Sequence, residues 1–260
     1  MVRVNPTEAN EHIRGLLNRD YPARIRLVGV LAGKLPGIIY VDDTDHANWA
    51  VLQETQFGTL FPSAGIDAAV LTELIIALRA EGEVLLGCLE GDPLPKAIPT
   101  TPDYEGRVLD CSDRDLGYSL IQFEKPLPNG FRVLPLDKAL AAREQVEHAQ
   151  TAEEQELAEY LDGETGVCLL HDGRIVSAAT GGRAIEGVVE IGVVTLEAHQ
   201  NQGYATMLAA RFIAECEAQG LATYWNCNVR NTPSVRMARK LGYRREREYD
   251  IYAWSPVQAS

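Results

Sequence analysis

The sequence has no stretch of about 18 consecutive uncharged apolar residues, the length a helix needs to cross a bilayer. Its opening, Met1-Val2-Arg3-Val4-Asn5-Pro6, lacks an apolar signal core, so a cytoplasmic location is expected. CxxC pairs are missing as well. The five cysteines, Cys88, Cys111, Cys168, Cys216 and Cys227, are scattered and odd in number, which argues against a disulfide framework and a thiolate zinc site. His12, His46, His148 and His171 fall at no ligand spacing, and Asp42-Asp43-x-Asp45 lacks the remaining ligands of a calcium loop and reads as a turn, so no metal is expected. Basic residues are in the minority. Against 37 Asp and Glu stand 24 Lys and Arg, a formal charge of -13, and no Lys/Arg patch is interleaved with aromatics. Such a field repels phosphate backbones and anionic membranes, which excludes nucleic acid and membrane as expected partners and favours cationic ones. No internal repeat and no low-complexity tract is legible.

The 260 residues allow one large domain or two modest ones, and 46% apolar with 23% charged residues is enough to bury a core. Asn5-Pro6-Thr7-Glu8 reads as a helix start with Asn5 as cap and Pro6 in the first turn. Arg24 to Val30, Gly37 to Val41 and Trp49 to Leu60 are β-rich runs between turn residues. Val70, Leu71, Leu74, Ile75 and Leu78 recur at helical spacing after Asp67 and stop before Gly82. Prolines gather in 91–102 and 126–130 around a β-like run from Leu116 to Phe123. The expected division is an N-terminal mixed α and β domain over 1–128, which would cap an acceptor substrate, and a second domain over 129–260. The stretch from Asp137 to Leu161 reads as one or two surface helices.

The second half is more regular. Gly166 to Leu170 and Arg174 to Thr180 form a hairpin around Asp172-Gly173, and Val188 to Thr195 is a third strand. A helix follows with the apolar stripe Ala205, Leu208, Ala209, Phe212, Ile213, Cys216, closed by Gly220. A strand from Ala222 to Val229 leads to a short helix with Thr232 as cap and Pro233 behind it. The strand-like Tyr243 to Trp254 ends the pattern. Between strand and long helix lies Gln200-Asn201-Gln202-Gly203-Tyr204-Ala205. The first N–H groups of a helix lack internal partners and carry the positive end of its dipole. Gly203 permits close backbone approach and Ala205 keeps the first turn slim, so these amides suit a pyrophosphate.

Gln200-x-x-Gly203-x-Ala205 after a strand ending at Thr195, then Asn231-x-x-Ser234 and Lys240-Leu241-Gly242-Tyr243, resembles the acetyl-CoA loop and C-terminal pattern of the GCN5-related N-acetyltransferase (GNAT) superfamily. Glu190-Ile191-Gly192-Val193-Val194-Thr195, Tyr224-Trp225-Asn226-Cys227 and Glu248-Tyr249 with Tyr252 are similar to the subfamily that includes zwittermicin A resistance acetyltransferases, which carry an extra N-terminal domain. The resemblance implies an α+β fold, a mixed, mostly antiparallel sheet flanked by helices, with a smaller mixed N-terminal domain. It also implies transfer of an acetyl group from acetyl-CoA, as donor cosubstrate, to a primary amine of a small molecule, an antibiotic or polyamine among the candidates. The main chain of Val193, Val194 and Thr195 would pair with the pantetheine arm, and the amides of Gln200, Asn201, Gln202, Gly203, Tyr204 and Ala205 would hold the pyrophosphate. Asn231 and Ser234 would face the cofactor or else cap their helix. Glu190 is the leading general base, its pKa raised by burial, and an amide near Val194 would polarise the thioester. Many superfamily members place a tyrosine where this chain has Ala238. That departure motivates an alternative, a catalytically weak CoA-binding sensor or interaction module. A homodimer is compatible with the sequence.

Overall fold

The computed structural model describes residues 1–112, 114–115, 118–137, 140, 154–155, 157, 165–244 and 247–257. The chain forms two units: Met1–Asp110 with Cys227–Arg230 and Arg247–Ser260, and Cys111–Asn226 with Asn231–Glu246. The first changeover, at Asp110/Cys111, lies ahead of the proline-bearing segment 126–130.

Unit 1 begins with β1 (Val2–Val4), α1 (Glu11–Leu16), α2 (Arg24–Leu31), β2 (Gly37–Val41), β3 (Ala50–Glu54) and β4 (Thr59–Pro62). It continues with α3 (Ala68–Leu78), β5 (Val84–Leu89), α4 (Leu94–Ala97) and β6 (Tyr104–Cys111). Unit 2 contributes β7 (Phe131–Leu136), β8 (Thr165–His171), β9 (Arg174–Gly181), β10 (Val188–Thr195), α5 (Tyr204–Ala218), β11 (Ala222–Asn228) and α6 (Thr232–Lys240). The chain then returns to unit 1 as β12 (Arg247–Trp254).

In unit 1 the strands lie in the order β1-β2-β3-β4-β5-β12-β6, antiparallel except for β4 beside β5. Successive side chains alternate between the two faces of a strand. Ile39, Val41, Leu52 and Phe61 accordingly pack with α1 and α2 residues Ile13, Leu17, Leu27 and Val30. Tyr40, Val51, Leu60 and Leu86 pack with Leu71, Leu74, Ile75 and Leu78 of α3, and with Trp254. Unit 2 orders its strands β11-β10-β9-β8-β7, antiparallel except for β10 beside β11. Phe212 of α5 lies against one face. A Cβ on Gly181 would come within 2.8 Å of its ring and 2.4 Å of Val189, so only glycine fits there. Cys168, Leu170, Ile175 and Ala178 fill the other face, with Val194 and Leu196 against them.

The α+β class and the mostly antiparallel sheet agree with the sequence reading, and so do the hairpin at Asp172-Gly173, α3 capped by Asp67, β10 and α5. Several elements differ. Arg24–Leu31 is helical, because Leu27 and Val30 recur at helical spacing and their burial outweighs β propensity. The first helix starts at Glu11, capped by Asn10, whereas the Asn5 carboxamide accepts from Thr7 N–H at 3.1 Å in a local turn. The run from Trp49 to Leu60 folds back on itself, with Gly58 at φ 70° between β3 and β4. Leu120–Phe123 is a 3₁₀ turn rather than a strand. Asn231, not Thr232, caps α6. The strand expected from Tyr243 starts at Arg247, and Tyr243 makes only an isolated bridge to Arg114. Most of the surface-helix stretch between 137 and 161 lies outside the described residues.

The largest difference concerns repetition. Each unit runs through the same plan as far as its second helix: a strand paired to the next one, three successive antiparallel strands, a helix, a strand parallel to the last of them and a second helix. β4-α3-β5-α4 in unit 1 corresponds to β10-α5-β11-α6 in unit 2.

Candidate functional site

β10 and β11 pair only where Val188, Val189 and Glu190 lie beside Ala222, Thr223 and Tyr224. From Ile191 to Thr195, β10 keeps its ladder with β9 and parts from β11. In a ladder, alternate residues turn both N–H and C=O toward the same neighbour. Ala222 N–H donates to the Gly187 carbonyl at 2.9 Å, whereas Leu196 N–H donates to Val176 on β9 at 3.0 Å. Odd-numbered residues of β10 thus face the β11 side and even-numbered ones face β9. Ser177 Oγ, donating to the Val194 carbonyl at 2.9 Å, agrees. Val193 therefore turns its N–H and C=O into the opening, and Thr195 turns its N–H there while its carbonyl accepts from Gln200 Nε2 at 2.9 Å. The main chain of Val194 is committed to β9.

Beyond Thr195 the chain makes a 3₁₀ turn at Glu197–His199 and then two left-handed residues, Asn201 at φ 58° and Gly203 at φ 78°. Left-handed residues at a helix start gather successive N–H groups into a concave nest. Gly203 is the N-cap of α5 and no side chain caps that end, so the first-turn amides of Tyr204 and Ala205 point outward. Gln200, Asn201, Gln202 and Gly203 are exposed; Tyr204 is buried.

One cation unforeseen from the sequence stands at this turn. Lys125 Nζ donates to the Gln202 carbonyl and lies 3.7 Å from the centroid of the Tyr204 ring. Burial lowers its pKa from the usual lysine range. The preceding residue, Glu124, fixes this segment to α5 by accepting from Arg211 Nε at 2.6 Å. Tyr204 also stacks on Phe131 at 5.3 Å, and Phe131 on His171 at 3.9 Å with an interplanar angle of 6°. His199 meets Phe131 edge-on at 5.8 Å. Lys125 directly precedes Pro126, in a stretch whose only sequence signal is proline.

Glu190 is half-buried and sits beside buried Tyr224 in register, on one face of the sheet. Val189 faces α5, so Glu190 faces the opposite side. The Tyr224 hydroxyl accepts from Asn226 Nδ2 at 2.9 Å, which directs its own proton elsewhere. Asn231 and Ser234 are anchored in structure. The Asn231 side chain accepts from Ser234 N–H at 3.2 Å as the cap of α6, and Trp225 Nε1 donates to Ser234 Oγ at 3.2 Å. Ala238 is 1% exposed, leaving no acid at that position. Tyr243 donates to Thr223 Oγ1 at 2.5 Å, and burial raises its pKa above the ordinary phenol range. Tyr249 belongs to unit 1.

A splayed parallel pair that exposes peptide groups, opening onto an anion-binding helix start, suits a ligand with an extended amide arm and a phosphate group. The GNAT acetyltransferase family model matches residues 103–252 of this chain. The chain is 29% identical over 128 residues to the uncharacterized N-acetyltransferase YdfB of Bacillus subtilis (strain 168), covering 48% of this chain and 49% of that protein. It thus spans about half the length of the curated relative it matches. A GCN5-related N-acetyltransferase-like protein from Streptococcus suis 89/1591 has 25% identity and a TM-score of 0.70, covering 94% of this chain and 97% of that one. A tandem GNAT protein from the clavulanic acid biosynthesis pathway has the same fold, with a TM-score of 0.60 at 14% identity over 100% of this chain and 99% of its own.

Proposed function

The chain belongs to the GNAT acetyltransferase family, and on that premise we propose that unit 2 binds acetyl-CoA between β10 and β11 and passes the acetyl group to a primary amine of a small molecule. The observation that carries this reading is the uncapped, left-handed entrance to α5 at the mouth of the β10/β11 opening. The amides from Gln200 to Ala205 would hold the pyrophosphate, with Lys125 adding a positive side chain at the turn. Val193 N–H and C=O, with Thr195 N–H, would bind the peptide-like arm as an added strand. Bound acetyl-CoA supplies the thioester. Glu190 would take the proton of the incoming ammonium, directly or through water, because an amine attacks only when neutral. The Val194 N–H faces β9, so the amide that polarises the thioester carbonyl falls to a neighbour on the open edge, Val193 or Thr195. Tyr224, beside Glu190, is the tyrosine best placed to return a proton to the thiolate.

The finer likeness to zwittermicin A resistance acetyltransferases and the charge of -13 favour a cationic acceptor, an amine-bearing antibiotic or a polyamine. Failure to turn over any polyamine or amino-sugar compound removes that refinement. Buried Ala238 keeps one rival in play, a sensor that binds the coenzyme without turnover, and thiol release with any amine excludes it.

The deciding experiment is calorimetric titration of the purified chain with acetyl-CoA beside Gly203→Glu. That variant places bulk and negative charge at the phosphate turn and strains a left-handed residue by about 1–2 kcal/mol. We expect one coenzyme per wild-type chain and none for a variant that still unfolds cooperatively. A folded wild type without affinity overturns the proposal.

A further inference from the structure

From Ile191 to Thr195 β10 keeps one neighbour, so the open end of the strand depends on β9 for its position. Thr195 pairs in register with Ser177 of β9. The Thr195 N–H and C=O turn away from β9, which makes this a pair without ladder hydrogen bonds, the kind whose side chains stand closest. The two hydroxyls meet at 2.7 Å. Ser177 has one proton, and it goes to the Val194 carbonyl at 2.9 Å, so the Thr195 hydroxyl is the donor to Ser177.

Ser177 is 0% exposed, beside the equally enclosed Ala178 and Ala179. Alanine would fill such a place without needing partners, whereas a buried hydroxyl costs free energy unless its bonds are made. What the serine adds is a hold on Thr195. The Thr195 carbonyl is taken by Gln200 Nε2 at 2.9 Å, and the next N–H, that of Leu196, donates to Val176 at 3.0 Å. With hydroxyl, carbonyl and following amide fixed, the Thr195 N–H has one direction left, into the β10/β11 opening.

Unit 1 opens at the same point of the shared plan, since β4 and β5 pair only where Thr59 and Leu60 lie beside Leu85 and Leu86. Ser63 N–H donates to Ala50 on β3 at 2.7 Å and Leu85 N–H to the Gly58 carbonyl at 2.9 Å, so even-numbered residues of β4 face that opening. The last of them is Pro62, which has no N–H, and its carbonyl accepts from the Tyr21 hydroxyl at 2.9 Å. Its partner in register is Val51, so this pair carries no hydroxyl. The start of α3 is closed by its own anion, because the Asp67 carboxylate accepts from Ala69 N–H at 2.7 Å and would repel phosphate. Where there is no N–H to aim, the hydroxyl pair is missing too.

We propose that Ser177 is a positioning residue for the acyl donor: through Thr195, it holds the Thr195 N–H aimed at the amide arm of the coenzyme. The proposal rests on the reading of unit 2 as an acetyl-CoA site. A donor fixed before the ligand arrives spares the ligand the cost of ordering it. The benefit belongs to the arm alone, since the phosphates meet the turn beyond Gln200.

The test titrates acetyl-CoA calorimetrically into the full chain, Ser177→Ala, Thr195→Val and the double variant. Adenosine 3′,5′-bisphosphate, which carries phosphates and no amide arm, is measured on each by displacement of acetyl-CoA. We expect Ser177→Ala to weaken acetyl-CoA at least fivefold and the bisphosphate less than twofold. Thr195→Val should do the same, and the double variant should lose no more than the larger single loss, because the two hydroxyls act as one hold. Should Ser177→Ala not unfold cooperatively, Thr195→Val, at a half-buried position, carries the same comparison. An unchanged acetyl-CoA affinity in Ser177→Ala, equal losses for both ligands, or single losses that multiply in the double variant would each overturn the proposal while leaving the coenzyme site standing. A wild type without affinity for acetyl-CoA, or one from which the bisphosphate displaces none, would instead remove the reading on which it rests.

Discussion

The two units repeat one order of strands and helices, open between one parallel strand pair each, and start a helix at each opening, yet offer opposite surfaces to a ligand. In unit 2 the connection over 196–203 is long enough to turn twice through left-handed residues, and it leaves the helix start uncapped beside Lys125. In unit 1 residues 63–67 are too few for such a nest. Gly65 keeps a left-handed φ of 73°, but Asp67 closes the helix start and Pro62 removes the donor from the open edge. The architecture therefore supplies a splay and a dipole, while a few residues on the turn decide which ligand can use them.

The largest effect expected from breaking this comparison is on stability. In each unit an arginine joins distant segments. Arg247 of β12 donates to Asp110 at 3.0 Å, Asp20 at 2.8 Å and the Tyr21 carbonyl at 2.6 Å, and the Asp110 carboxylate is 3% exposed. In unit 2, Arg114 donates to Glu217 at 2.9 Å and the Leu241 carbonyl at 3.1 Å, with Glu217 29% exposed. Arg247→Met strands a buried carboxylate and should cost about 3–5 kcal/mol in urea unfolding. Arg114→Met leaves Glu217 able to reach water and should cost about 1–3 kcal/mol. Equal losses would show that burial of the partner does not distinguish the two ties.

A sharper exchange copies the outward proline of unit 1 into unit 2. Val193→Pro removes an N–H that takes no part in the β9 ladder, so thermal unfolding should change little. Acetyl-CoA affinity should fall by about 1–3 kcal/mol, because a bound amide arm would keep an unsatisfied acceptor. Pro62→Val should give unit 1 no second coenzyme in the same titration. A second coenzyme would mean that proline alone separates the units.

The sequence shows the elements that local chemistry determines. α5 was legible from its apolar period, the β8/β9 hairpin from Asp172-Gly173, and the turn into α5 from Gly203 between a strand and a helix. α2 was not, because Val28 and Val30 favour strands locally and only burial beside Ile39 and Leu52 decides for a helix. The duplication is invisible because the shared plan is specified by polarity and turn geometry, which many residues satisfy, rather than by identity. Within the candidate site, Glu190 and the turn were legible. Lys125, Phe131 and the buried partner of Ser234 were not, since tertiary packing alone brings them to β10, α5 and α6.

Lys125 has no counterpart at the start of α3, where Asp67 stands instead. Lys125→Ala should weaken acetyl-CoA by about 1 kcal/mol at low salt and by less as salt rises, because a half-exposed charge is screened. An unchanged affinity would leave the backbone nest as the sole difference that matters between the helix starts.

The smallest effect tests whether the Lys125 segment is held in place. A hydrogen bond from Arg211, then its charge, keeps the Glu124 carboxyl below its ordinary value of 4.5. A depressed carboxylate contributes stability that is fully present above that ordinary value and is lost as pH falls toward the lower folded one. The pair is exposed, so its worth is under about 1 kcal/mol. Glu124→Gln should therefore lower acetyl-CoA affinity by about twofold at neutral pH, through a looser Lys125. The stability gap between wild type and variant, followed by thermal unfolding, should hold constant down to about pH 5 and narrow only below it. A gap that narrows instead between pH 6 and 8 would assign the effect to another group and detach Glu124 from the coenzyme turn.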